Sequence, residues 1–166
     1  MHNKVKDTAF LGLCVALALG LAYIEVLLPP LFAAVPGIKM GLPNIILIFL
    51  LYRRGAAATI TVSLLRMVLV TLLFGNFMAF AYSLAGGALS MAVMILLTRL
   101  DFLSSTGVSV AGGVMHNVGQ ILMAMWLMNT AELGYYLIVL AITGTVAGLL
   151  IGLCAAQLIR RIPTRW

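Results

Sequence analysis

Residues 42–54 read LPNIILIFLLYRR, and the fold depends on whether this short apolar run crosses a membrane. From Leu42 to Tyr52 the run has eleven residues, and a helix of that length covers only about half of a bilayer core. Two interpretations are open. Either the segment is re-entrant, or it crosses together with part of the preceding loop, which would then lie inside the protein at membrane depth. Non-helical backbone is tolerated there only where it is buried in protein or lines a cavity.

The rest of the chain is apolar enough to fill a membrane. Hydrophobic residues make up 64% of its 166 residues and charged residues 8%, and the mean hydropathy is +1.19. This composition excludes a soluble globular domain, and the length allows roughly six spans with no second, soluble domain. The first apolar run lacks a small-residue cleavage site, which predicts a retained helix. We expect one transmembrane domain over residues 1–166, with spans at 8–28, 42–52, 56–74, 77–97, 107–128 and 135–159.

The basic residues decide between the two interpretations of the second span. If it crosses, eight of the ten basic residues fall on the amino-terminal side of the membrane: Lys4, Lys6, Arg53, Arg54, Arg99, Arg160, Arg161 and Arg165. If it does not cross, this set is split between the two sides. The positive-inside rule therefore predicts an all-α integral membrane protein with six transmembrane helices and both termini in the cytoplasm. The same rule explains the net charge of +6 without nucleic acid as a partner.

Arg66 is the residue whose burial most needs an explanation, because it lies near the middle of the third span. A charge at that depth costs at least about 2.5 kcal/mol and marks a candidate functional site. Glu25, toward the outer end of the first span, is a possible partner. We consider three hypotheses: an Arg66–Glu25 bridge that fixes helix packing, an Arg66 that binds the anionic group of a ligand, and an Arg66 that faces a water-filled crevice.

The fifth span carries a polar sector formed by His116, Asn117 and Gln120. His116 and Gln120 are four residues apart and share one helix face, while Asn117 lies about 100° round from His116. Hydrogen bonding between helices is one explanation, and contact with a ligand is the other. A metal site is not predicted, because His2 is the only other histidine.

Lys39 is the one basic residue that this topology places on the outer side, in the loop PGIKMGLPN. It is either solvated or the cap of a cavity that contains Arg66 and His116. In the second case, if His116 is protonated and only Glu25 opposes the three cations, the pocket is positive and suits a carboxylate or a phosphate.

Small residues recur every four positions on the first span, at Gly12, Ala16 and Gly20. Such a stripe lets helices approach closely, either within the chain or against another membrane subunit. The sixth span has a similar stripe at Gly144, Gly148 and Gly152.

The residues needed for common catalytic chemistry are missing. The sequence has no G-x-x-x-x-G-K-[ST] motif, and its four acids, Asp7, Glu25, Asp101 and Glu132, are not paired to hold magnesium. No Ser-His-Asp or Cys-His arrangement is readable. We therefore predict a protein that is not an enzyme, without catalytic residues, cofactor or metal.

Four motifs occur in a familiar order: PGIKMGLPNI, LLRMVLVTLLFGN, YSLAGGALSMAVM and SVAGGVMHNVGQILMA. The chain resembles the heptaprenyl diphosphate synthase component I family, also called the Gx transporter family. That family is similar to the S components of energy-coupling factor transporters, which have six helices, a first loop over the substrate and small residues on the first helix that meet a coupling subunit. The synthase label conflicts with the missing carboxylates, and we follow the chemistry.

The resemblance implies a substrate-binding subunit in a bacterial plasma membrane, in contact with lipid. It would take up a small organic nutrient or cofactor precursor, powered by a transmembrane coupling subunit and ATPases on other chains. Its expected substrate-binding residues are Glu25, Lys39, Asn44, Arg66, His116, Asn117 and Gln120, and its expected docking residues are Gly12, Ala16 and Gly20. The alternatives are an accessory subunit of isoprenoid, quinone or membrane redox metabolism, and a proton-coupled carrier.

Overall fold

The computed structural model describes residues 2–27, 41–74 and 77–162, and every regular secondary-structure element in these ranges is a helix. A 3₁₀ helix at Ala131–Tyr136 precedes the last α-helix. The α-helices are α1 His2–Leu27, α2 Asn44–Arg54, α3 Ala56–Phe74, α4 Phe77–Leu97, α5 Ser105–Met128 and α6 Leu137–Arg161.

Five of these helices are long and apolar enough to cross a membrane, which confirms an all-helical chain of multi-pass membrane type. The exception is α2, with 11 residues. The predicted sixth crossing would need the segment before α2, and most of that segment lies outside the described residues. The six-span topology with cytoplasmic termini therefore stays a prediction.

Helix α2 is nevertheless the centre of the molecule. Six consecutive side chains, Ile46 to Leu51, are buried, as expected for a helix that is apolar on every side. It packs against α1, α3, α5 and α6. A turn at Gly41–Pro43 starts it, with the Asn44 N–H donating to the Gly41 carbonyl at 2.8 Å. It ends at Arg54, and the next residue, Gly55, has a φ of 83°, which favours glycine.

The basic end of α2 ties three elements together. Arg53 donates to the carbonyl oxygens of Ile159 and, at 2.7 Å, of Ile162 at the end of α6. Arg54 forms an ion pair with Asp7 of α1 at 2.8 Å, and its guanidinium lies 5.0 Å from the Phe10 ring centroid. The start of α1, the end of α2 and the end of α6 therefore meet at one end of the molecule. Their basic residues were predicted to share one side of the membrane.

Helices α4, α5 and α6 form a tightly packed antiparallel layer. A Cβ atom added to Gly113 of α5 would lie 2.5 Å from the Gly144 carbonyl oxygen of α6. One added to Gly86 of α4 would lie 2.7 Å from the His116 carbonyl oxygen. Because each obstacle is backbone, these helices approach more closely than any side chain would permit. The glycine stripe of the sixth span thus packs within the chain.

Candidate functional site

A small polar pocket lies near the centre of the helices. It has a volume of about 50 Å³, enough for roughly three water molecules or one small anionic group. Five of the seven predicted substrate-binding residues line it together: Glu25, Asn44, Arg66, His116 and Gln120. They come from α1, α2, α3 and α5, so the pocket exists only because these helices pack around the start of α2.

Arg66 enters this pocket from the middle of α3, as the eleventh of its 19 residues. Its Nε atom is buried and has no hydrogen-bond partner among the described residues. The negative charge of Glu25 interacts favourably with the guanidinium. A guanidinium carries five N–H donors in a fixed fork, and Arg66 therefore keeps donor capacity beside an open volume.

Glu25 is buried and also fastens α1 to the start of α2. Its Oε1 atom accepts a hydrogen bond from the Gly41 N–H. Asn44 lies on the other side of the same turn: a Cβ atom added to Gly41 would come within 2.9 Å of its Nδ2 atom. Since Gly41 has a φ of +80°, this turn and the two polar side chains depend on a glycine at that position.

His116 and Gln120 approach the pocket from α5, where both pack over Gly86 of α4. A Cβ atom added to Gly86 would lie 3.1 Å from His116 Cε1 and 2.8 Å from Gln120 Cγ. The imidazole interacts with the Gly86 backbone and with the charge of Arg66. Any side chain at this glycine would push both polar groups away from the pocket.

Asn117 faces away from this pocket, unlike its two neighbours on α5. Its Nδ2 atom donates to the Leu140 carbonyl oxygen of α6 at 2.7 Å, and the side chain is 6% exposed. This bond joins two helices, which was one of the two explanations offered for the polar sector. Asn117 also lines a second, larger cavity.

The second cavity has a volume of about 270 Å³ and lies between α2, α4, α5 and α6. Most of its lining is apolar, with Ile48, Met94 and Ile151 among the larger side chains. It shares Gly41, Asn44 and His116 with the polar pocket. The two spaces are therefore neighbours, one polar and one apolar.

The remaining predicted residues lie elsewhere. Lys39 lies outside the described residues. Gly12, Ala16 and Gly20 occupy one exposed face of α1, and a Cβ atom added to either glycine would have nothing within 4 Å. The neighbouring small residues Cys14, Ala18 and Ala22 are buried instead. Residues 12, 16 and 20 thus form an outward face that the described part of the chain does not cover.

Sequence reasoning missed several residues that line the polar pocket, notably Thr71, Ser83 and Met67. Hydroxyl groups on apolar helices are common and often bond their own backbone, so their types gave no signal. All three residues lie inside quoted motifs, Ser83 in YSLAGGALSMAVM and Met67 and Thr71 in LLRMVLVTLLFGN, and this was the available indication. Within the described ranges, no three His, Cys, Asp or Glu side chains are grouped so that they could hold a metal.

Comparison with known protein families confirms the resemblance stated from the sequence motifs. The sequence model of the family described as heptaprenyl diphosphate synthase component I matches residues 14–158. No curated protein and no solved structure matches the chain.

Proposed function

The chain belongs to the heptaprenyl diphosphate synthase component I family, and from this premise and the polar pocket we propose that it is a non-catalytic membrane subunit that binds a small organic anion. The family name describes one component of a larger assembly, which supports a role beside other chains. The synthase itself has to reside elsewhere, because the four acids of this chain are not paired for magnesium.

One observation carries the proposal: within the part of the chain that the structure describes, the buried Nε atom of Arg66 has no hydrogen-bond partner and lies beside an open pocket. Keeping a guanidinium at membrane depth is costly unless its donors are used. A carboxylate or phosphate in the pocket would accept from Arg66 in the forked geometry that suits this side chain. Asn44, His116 and Gln120 would provide further polar contacts to the same group.

The finer proposal is uptake of the bound compound by a complex of the S-component type. The chain has no P-loop, so energy would come from ATPases on other chains. The exposed face of Gly12, Ala16 and Gly20 supports docking to a coupling subunit, because small residues allow close helix approach.

The second candidate is an accessory subunit whose polar centre is structural. The bonds from Gly41 to Glu25 and from Asn117 to Leu140 favour it, because each joins two elements of the fold. In that case Arg66 and Glu25 hold α1 and α3 together, and no ligand occupies the pocket.

Mass spectrometry of small molecules released from the purified protein separates the two candidates. We expect one stoichiometric anionic compound from the parent chain. Arg66→Met, which keeps the volume of the side chain, should lose it while circular dichroism and gel filtration stay unchanged. Arg66→Lys, which keeps the charge but not the fork, should retain it in part.

If the chain is instead an accessory subunit whose polar centre is structural, we expect the opposite result. Arg66→Met would then lower the yield of folded protein, and adding Glu25→Gln would restore it by removing the buried negative charge that Arg66 balanced. A parent chain that releases only lipid, together with this rescue, would overturn the anion-binding proposal.

A further inference from the structure

We infer that the anion bound at Arg66 is the head of an amphiphile, whose aliphatic chain lies in the apolar cavity and enters it from the lipid side of α6. This inference deepens the proposed function and rests on it, because it requires Arg66 to bind an anionic group. It specifies the chemical class of the ligand and its route, and four features of the structure support it.

The first feature is the direct adjacency of the two spaces. Gly41, Asn44 and His116 line both the polar pocket and the apolar cavity. A ligand with its head group at Arg66 would place its chain in the larger space by crossing the boundary that these three residues form. The polar pocket alone, at about 50 Å³, is far below the roughly 300–1,000 Å³ of ordinary small-molecule sites.

The second feature is the state of the polar side chains in the apolar cavity. Asn117 donates to the Leu140 carbonyl oxygen at 2.7 Å, and Thr143 donates to the same oxygen at 3.1 Å. Ser109 donates to the Gly148 carbonyl oxygen at 2.7 Å. One N–H of Asn117 and the hydroxyl donors of Thr143 and Ser109 are thus used by the backbone of α6. Since most of the remaining lining is apolar, an aliphatic chain fits this cavity better than a polar one.

The third feature is where the cavity opens. Ile142, Val146 and Leu150 line it and are also 61%, 55% and 52% exposed, so they stand at its mouth. They are spaced by four residues on one side of α6 and lie well inside that 25-residue helix. Exposed apolar side chains at this depth face lipid in a membrane-spanning helix. The mouth therefore opens toward the hydrocarbon of the bilayer.

The fourth feature is energetic. Moving an aliphatic chain from bilayer hydrocarbon into an apolar cavity removes no apolar surface from water, so the chain itself adds little affinity. Discrimination then comes from the head, because an anionic group forms stronger, charge-assisted hydrogen bonds with Arg66 than an uncharged group does. Such a site favours an amphiphile with a small anionic head over one with an uncharged head.

A competing place for the chain exists on the opposite side of the polar pocket. A lipid-facing groove between α3 and α4, with a volume of about 360 Å³, is lined by Ala88, Met91 and other apolar residues. Only Met67 belongs to both this groove and the polar pocket. Its thioether also lies near Gly87, where an added Cβ atom would be 3.3 Å from the sulfur. The groove thus adjoins the polar pocket at one residue, whereas the apolar cavity adjoins it at three.

The test uses the full chain in phosphatidylcholine nanodiscs and decyl phosphate with a diazirine on its terminal carbon. After illumination, the labelled residues are identified by peptide mass spectrometry. We expect saturable labelling within Ile142–Ile151 of α6, reduced by excess inorganic phosphate and by Arg66→Met. Scattered, unsaturable labelling or labelling unchanged by Arg66→Met would overturn the inference. This measurement does not depend on a substitution in the cavity, which could prevent folding.

A matched pair of variants sharpens the result. Ala147→Phe fills the apolar cavity, and Ala88→Phe makes the same change in the competing groove. We expect Ala147→Phe to reduce labelling at least about tenfold, the factor that corresponds to about 1.4 kcal/mol of lost fit. Ala88→Phe should leave it unchanged, and the reverse pattern would place the chain between α3 and α4 and contradict the inference.

Failure of the amphiphile inference and failure of the proposed anion binding give different experimental results. If inorganic phosphate or acetate binds in an Arg66-dependent manner but the cavity is never labelled, the amphiphile is wrong and anion binding stands. If neither a simple anion nor the alkyl phosphate depends on Arg66, both proposals are wrong.

Discussion

Replacing Gly113 by alanine tests the close approach of α5 and α6 that shapes the apolar cavity. The added Cβ atom would lie 2.5 Å from the Gly144 carbonyl oxygen and 3.3 Å from the Gly148 Cα atom. Both obstacles are backbone, so a rotamer change cannot relieve the overlap. The two helices have to separate, or α6 has to shift along α5.

The magnitude follows from comparison with Gly12→Ala, the matched control. Gly12 also lies inside a helix, and its added Cβ atom meets nothing within 4 Å. Both changes remove the backbone freedom of a helical glycine, which contributes about 1 kcal/mol in favour of alanine. This contribution cancels in the difference. The overpacking cost of about 1–3 kcal/mol remains, and Gly113→Ala should be the less stable variant by that amount.

Unfolding by dodecyl sulfate in mixed micelles, followed by circular dichroism, measures this difference. Thermal unfolding gives a second estimate, because each kcal/mol corresponds to roughly 2–4 °C for a chain of this size. Equal stability of Gly113→Ala and Gly12→Ala would refute the backbone contact between α5 and α6. It would also mean that the α5–α6 contact at Gly113 and Gly144 does not form the wall of the apolar cavity as described.

Two further predictions concern the basic end and the α1 face. Arg53→Met should lower the free energy of unfolding by about 1–3 kcal/mol, because it removes donors from the last carbonyls of α6. Arg54→Met should cost less than about 1 kcal/mol, since its ion pair with Asp7 is partly exposed, and added salt should shrink only this smaller loss. Equal losses in unfolding titrations would contradict the distinction. Gly12→Leu should abolish co-purification of partner membrane subunits and leave ligand retention unchanged; an intact assembly would show that α1 docks through another face.

Local sequence patterns were sufficient to predict the class of the protein and a central group of polar residues. Hydropathy over a span and charge between spans are sums over neighbouring residues, so they need no knowledge of packing. Arg66 and Glu25 stood out because an ion in an apolar helix is costly wherever its neighbours lie. The shared face of His116 and Gln120 follows from helical periodicity alone.

The role of Asn117 could not be predicted in the same way. It sits beside His116 in the sequence, yet its amide reaches Leu140, 23 residues further along the chain. The register between α5 and α6 decides this contact, and glycine contacts set that register. No pattern within α5 indicates which of its polar side chains meets a neighbouring helix.

The sequence by itself determined a helical membrane chain of this family and the polar residues that its apolar helices have to accommodate. Only the tertiary structure decided which of those residues line the polar pocket, which join two helices and which parts of the chain face outward. It gathered Arg66 and His116 at the start of α2, turned Asn117 toward α6, and left Gly12 on the outer face of α1. The reason is physical: hydropathy and periodicity are properties of one segment, whereas a pocket exists only where several segments pack together and leave a space.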